Sequence, residues 1–63
     1  MTPLHHAIAE GNGDVALELL RMGADSSVRD SEGKLSIDLA PDATVRKWIL
    51  RMAGEEGIDV ALS

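Results

Sequence analysis

The chain has 63 residues, no Cys, one aromatic residue (Trp48) and a formal net charge of −5. A chain this short forms one compact unit, buries only about 60% of the surface of its unfolded form, and has no disulfide or thiolate zinc site to reinforce it. The acidic balance argues against nucleic acid and anionic membranes and suits a basic protein partner. No apolar run approaches the roughly 20 residues of a membrane span. The N-terminus lacks the regions of a signal peptide, so a cytoplasmic or nuclear location is expected.

In chain order, Thr2 is a helix cap with Pro3 at the first helical position, where the missing N–H costs nothing. The short helix over 3–10 stops at Gly11-Asn12-Gly13, since glycine accepts positive φ. Asp14 is the next expected cap. In the helix behind it, Val15 and Leu19 share one face and Ala16 and Leu20 another, with Gly23 as the stop. Residues 23–34, rich in Gly, Asp and Ser, predict an extended segment with a tight turn near Ser31 to Gly33. Leu35, Ile37 and Leu39 alternate as in a strand, and Pro41 blocks continuation of a helix. Asp42 or Thr44 then caps a last helix with Val45, Trp48, Ile49 and Met52 on one stripe, and Arg46, Lys47 and Arg51 off it. Gly54 is the expected end. The segment after it shows no period and reads as a loose tail with apolar anchors at Ile58 and Val60.

The chain repeats itself. A shift of 33 residues lays Leu4 on Ile37 and Ala7 on Ala40, and a shift of 30 lays Val15–Leu20 on Val45–Leu50, so the second copy is three residues shorter between its helices. Both copies read as helix, turn, helix. The run Thr2-Pro3-Leu4-His5, Ala7, Gly11, Val15 to Leu20 and Gly23-Ala24-Asp25, with Asp30 and Gly33 opening the next unit, resembles the ankyrin repeat. The likeness is dense from Thr2 to Gly33 and weaker to Leu50. His6, Gly13, Leu17 and Ser26-Ser27 depart from the family pattern, which usually has a Leu, an apolar residue, a polar residue and Val-Asn there. The resemblance implies an all-α fold: an ankyrin helix-turn-helix solenoid fragment with a β-turn or hairpin loop between units. The expected division is a repeat over 2–33, a shortened capping repeat over 34–53 and a tail over 54–63. "TPLHHAIAEGNGD", "LAPDATVRKWI" and "GEEGI" are also similar to the C-terminal repeats of fungal gankyrin-type proteins, chaperones of proteasome regulatory-particle assembly.

His5, His6 and Glu10 raise the question of a metal or acid–base site. Adjacent helical residues diverge by about 100°, and His6 with Glu10 supplies too few ligands for zinc. In the ankyrin pattern His5 and Thr2 instead hold the helix start through hydrogen bonds. No serine sits in a nucleophile elbow, and Gly11–Asp14 lacks the Lys and Ser or Thr of a phosphate loop. We therefore expect no enzyme, no cofactor and no metal.

The resemblance implies a protein-binding module whose turn tips and first helices form the concave surface. By it the partner-facing positions are Met1, Ala9, Glu10, Met22, Ser31, Glu32 and Lys34. The gankyrin-type likeness implies the C-terminal domain of a proteasome base ATPase as partner. A generic ankyrin adaptor and a purely structural capping end stay open as alternatives. Two units are fewer than the roughly three that stability takes, and no Asp-x-x-Gly turn precedes Thr2. We therefore expect a piece of a longer array, with an open N-terminal face around Leu4, His6, Val15 and Leu19 that favours self-association or partial disorder.

Overall fold

A computed structural model describes residues 1–62. It contains three α-helices, α1 (Pro3–Ala9), α2 (Gly13–Arg21) and α3 (Ala43–Glu55), and one 3-10 helix (Ser36–Leu39). The described residues hold no named strand; a single antiparallel bridge joins Arg29 to Leu35. The elements form two layers. α1 packs on the 3-10 helix, α2 packs on α3, and α1 packs on α2. Equivalent elements of the two copies therefore stack side by side, as in a solenoid whose units contact their neighbours.

Local chemistry sets the element ends. The Thr2 hydroxyl accepts from the His5 backbone N–H at 3.2 Å, with Pro3 at the first helical position. Asn12, rather than Asp14, caps α2: its side-chain oxygen accepts from Val15 N–H at 3.4 Å. Asp42 does the same for α3 through Val45 N–H at 2.9 Å. Asn12 and Asp42 coincide under the 30-residue shift, so both copies start their second helix alike. All three α-helices end in the same hydrogen-bonded motif, in which a left-handed glycine lets its own N–H and that of the following residue reach back to the last turn. Those glycines are Gly11, Gly23 and Gly57. The last of them corrects the expected stop at Gly54. Glu55 follows Gly54, whereas Ile58 follows Gly57, donates to the Ala53 carbonyl at 2.9 Å and packs against the core.

The first helix of the second copy is reduced to one 3-10 turn, so the alternation of Leu35, Ile37 and Leu39 marks neither a strand nor a full α-helix. Two changes explain the loss. Leu35 stands where Thr2 caps the first copy and has no acceptor; only the reciprocal half of the cap survives, Leu35 N–H to the Asp38 carboxylate at 3.2 Å. Pro41 falls at the position of Ile8 and has no N–H for another helical bond. Ser36 occupies the position of Pro3. Its hydroxyl is buried without a hydrogen-bond partner among the described residues, which costs about 1–3 kcal/mol. Ser36→Ala should therefore raise stability by about 1 kcal/mol, read as a higher urea midpoint at unchanged slope; a lower midpoint would mean that the hydroxyl is bonded in solution.

The core joins Leu4, Ile8, Leu17, Leu20, Leu35, Ile37 and Ile49 with Ala7, Ala16 and Ala53. The Ala16–Leu20 face of α2 is buried together with Leu17, while Val15 is 45% exposed and Leu19 half-buried. The stripe on α3 is centred on Ile49, with Val45, Trp48 and Met52 half-buried beside it. The open apolar surface is a shallow groove of about 220 Å³ lined by Thr2, Pro3, Leu4, Leu19, Ala24 and Val28, together with Asp25; Leu4, 2% exposed, forms its floor edge.

The segment after α3 is not a loose tail. Ile58, Val60 and Ala61 pack against the core, and Ala61 N–H donates to the Ser26 hydroxyl at 2.9 Å. Arg21 grips the Glu56 carboxylate with two bonds, Nε to Oε1 at 2.7 Å and Nη2 to Oε2 at 2.6 Å. These bonds hold the Glu56 carboxyl below the usual carboxylate range and raise Arg21 further. Glu56 is thus a clasp, and Glu55 lies 3.9 Å from Arg51.

Candidate protein-binding surface

Two sequence features position this surface: the buried imidazole of His5 and the carboxylate of Asp30. His5 is 1% exposed. Its Nε2 lies 3.1 Å from the Lys34 carbonyl and its Nδ1 2.7 Å from the Thr2 hydroxyl. A carbonyl only accepts, so Nε2 carries the proton and donates. Nδ1 then accepts from the Thr2 O–H. One side chain therefore ties the start of α1 to the loop that opens the second copy, 29 residues away. His6 points the other way, is exposed, and pairs with Glu10 one turn on. The two histidines diverge as their spacing predicts. Among the described residues no group of three or more His, Cys, Asp or Glu is placed to hold a metal ion.

Asp30 builds the turn tip. One carboxylate oxygen accepts the backbone N–H groups of Glu32 and Lys34, each at 2.9 Å. Gly33 N–H closes the turn on the Asp30 carbonyl at 2.9 Å, and Gly33 has φ +79°. The Lys34 N–H leads the bonds that hold the Asp30 carboxyl below its ordinary range. Asp25 is lowered in the same direction, chiefly by the Ser27 hydroxyl at 2.6 Å. The Arg29 guanidinium donates to the Gly33 carbonyl at 2.7 Å and closes the base of the loop.

All seven expected partner-facing residues lie on the surface. Met1 and Met22 are each 75% exposed. Ser31, Glu32 and Lys34 share the turn tip, where Lys34 Nζ lies 3.7 Å from Glu32. The Lys34–His5 bond brings that tip to the start of α1, next to Met1. Ala9 and Glu10 sit at the opposite end of α1, about 10 Å away at 1.5 Å per residue. Met22 follows the end of α2. The surface is thus an acidic tip and an acidic helix end joined by the outer face of α1. Asp30 was legible with Gly33 as the turn that opens the second copy, whereas the Lys34 carbonyl and the Arg21–Glu56 clasp were missed as supports; they act through a main-chain atom or across 35 residues, where sequence spacing carries no signal.

The stacked helix pairs, the bonded helix start and the turn tip define a helical-repeat unit. Residues 1–31 match the ankyrin repeat model, so this part of the chain is an ankyrin repeat. The chain is 45% identical over 53 residues to Ankyrin repeat and SOCS box protein 11 of Danio rerio, a match covering 84% of this chain and 18% of that protein. It is 42% identical over 50 residues to "Probable 26S proteasome regulatory subunit p28" of Saccharomyces cerevisiae, covering 78% of this chain and 22% of that protein. The chain thus spans about a fifth of the length of these relatives. No solved structure matches it. No helix among the described residues is long and apolar enough to cross a membrane.

Proposed function

We propose that this chain binds a basic protein surface through the turn tip and the outer face of α1, at Met1, Ala9, Glu10, Met22, Ser31, Glu32 and Lys34. The observation that carries the reading is the His5 bond to Lys34, which fixes the acidic tip relative to the helix. The finer reading is a role in proteasome regulatory-particle assembly, with the C-terminal domain of a base ATPase as partner, in the cytoplasm or nucleus. The similarity to the yeast proteasome regulatory subunit supports it. On this reading residues 2–33 are one repeat, 34–53 a shortened cap and 54–63 a tail fastened back onto the repeat. The longer match to the zebrafish SOCS-box protein supports a second reading, an adaptor for an unrelated partner. A third, a purely structural cap, draws support from the fastened tail. Self-association is proposed at the groove beside Leu19 and Val28.

The test is binding of the chain to purified base ATPase C-terminal domains at low salt. Glu10→Lys with Glu32→Lys should slow association roughly tenfold, because rim charges act mainly on encounter rates. Binding that ignores both reversals would rule out this surface. Absence of binding to every ATPase domain, with capture of another partner that the reversals abolish, would favour the adaptor.

A further inference from the structure

The cations of this acidic chain are not spread evenly. Three of its six Lys and Arg residues and none of its eleven carboxylates lie between Ala43 and Gly54, so the remainder carries a formal charge of −8. Helix electrostatics favours cations in a last turn, yet the last turn of α3 has none. Arg46 and Lys47 have no carboxylate partner among the described residues, and Arg51 has only Glu55 at 3.9 Å. Elsewhere Arg21 and Lys34 face carboxylates and Arg29 a carbonyl.

Thr44, Lys47, Trp48 and Arg51 follow i, i+3, i+4, i+7 spacing and share one side of α3. They line a recess of about 330 Å³. A second recess of about 260 Å³, also lined by Trp48, opens between Gly11–Asp14 and Thr44–Val45. The six-membered edge of the indole lies against Gly13. Its N–H has no acceptor among the described residues. Asp14, on the far rim, is the one acidic residue lining either recess. Tryptophan and arginine are the side chains that most often dominate interface energies.

We propose that the Thr44–Lys47–Trp48–Arg51 face of α3 is a second docking surface, which takes a short acidic segment of a protein partner. Its carboxylates sit on Lys47 and Arg51, and an apolar side chain enters the recess beside Trp48. Charge complementarity selects this occupant: Lys47 and Arg51 form a local basic face, while the surrounding negative charge repels an extended polyanion such as nucleic acid or an anionic bilayer. The recess lined by Thr44, Lys47, Trp48 and Arg51 shares no residue with the first surface.

Trp48 is the only Trp, in a chain without Tyr or Phe, so its fluorescence reports this face alone. The full chain would be titrated with a short blocked peptide of Glu and Asp around a Leu-Leu pair, with a Lys-substituted peptide as control. The acidic peptide should give a saturable emission change; Lys47→Glu with Arg51→Glu should weaken it at least roughly tenfold, and Glu10→Lys with Glu32→Lys should leave it intact. No saturable change at millimolar peptide, or one that survives reversal at Lys47 and Arg51, overturns the proposal. So does a response to phosphatidylserine vesicles or a DNA oligonucleotide with none to the peptide.

Discussion

His5→Ala should lower the unfolding free energy by about 2–4 kcal/mol, from the lost bonds and the void left behind. A domain of this size holds about 3–9 kcal/mol in all, so the variant should sit near the edge of folding. The loss has two parts. The Lys34 carbonyl keeps its bond from Asp30 N–H but loses the imidazole N–H, and the Thr2 hydroxyl loses its acceptor. The loop that opens the second copy is then joined to α1 by packing alone. His5→Gln can still offer an amide N–H to Lys34 and should recover part of the loss. A urea titration with circular dichroism measures both variants. If His5→Ala costs under about 1 kcal/mol, no more than one ordinary hydrogen bond, the ring acts as filler and the tie between copies lies elsewhere.

The second large effect is expected at Gly13, where restoring the apolar residue usual in the family should harm this chain. A Cβ at Gly13 would lie 2.9 Å from Cε3 and 3.0 Å from Cζ3 of Trp48. Neither atom is the end of a flexible chain, so the whole ring must move. Gly13→Val should therefore cost about 1–3 kcal/mol, the usual penalty of overpacking, even though Gly is the poorer helix former. The same substitution beside Trp48→Leu should cost much less. A coupling of about 1 kcal/mol or more between the two sites would confirm the contact. Equal costs in both backgrounds would mean that Gly13 is there for the backbone, not for the ring.

These two sites show what is legible in such a chain. The cap at Thr2, the Pro3 start and the Gly11 and Gly23 stops follow from single residues whose chemistry has one use at that place. Asp14 was expected as the cap of α2, but Asn12 can also accept from a helix N-terminus; the close of α1 at Gly11 decides for Asn12 by leaving it outside the helix, with φ −91° and ψ 78°. Gly54 and Gly57 pose the same ambiguity, decided by the apolar Ile58 after the second. The alternation of Leu35, Ile37 and Leu39 misleads because a 3-10 turn between a capless Leu35 and Pro41 is too short to display any period. Gly13 against Trp48, Ser26 against Ala61 and Arg21 against Glu56 are each joined across 35 positions. Nothing in local spacing announces them. On the binding surface, residue exposure could be anticipated from the repeat pattern, while the bonds that hold the tip could not.

The fastened end of the chain changes how the protein comes apart. In an open array, terminal units fray one at a time, because each is held only by its neighbour. Here the last residues are clasped to the first unit at Arg21 and Ser26, so neither unit can peel away while the other stays intact. Opening at either end breaks the same set of long-range contacts. Residues 3–61 are therefore expected to open together, with slow amide exchange from α1 to α3 sharing a single opening free energy.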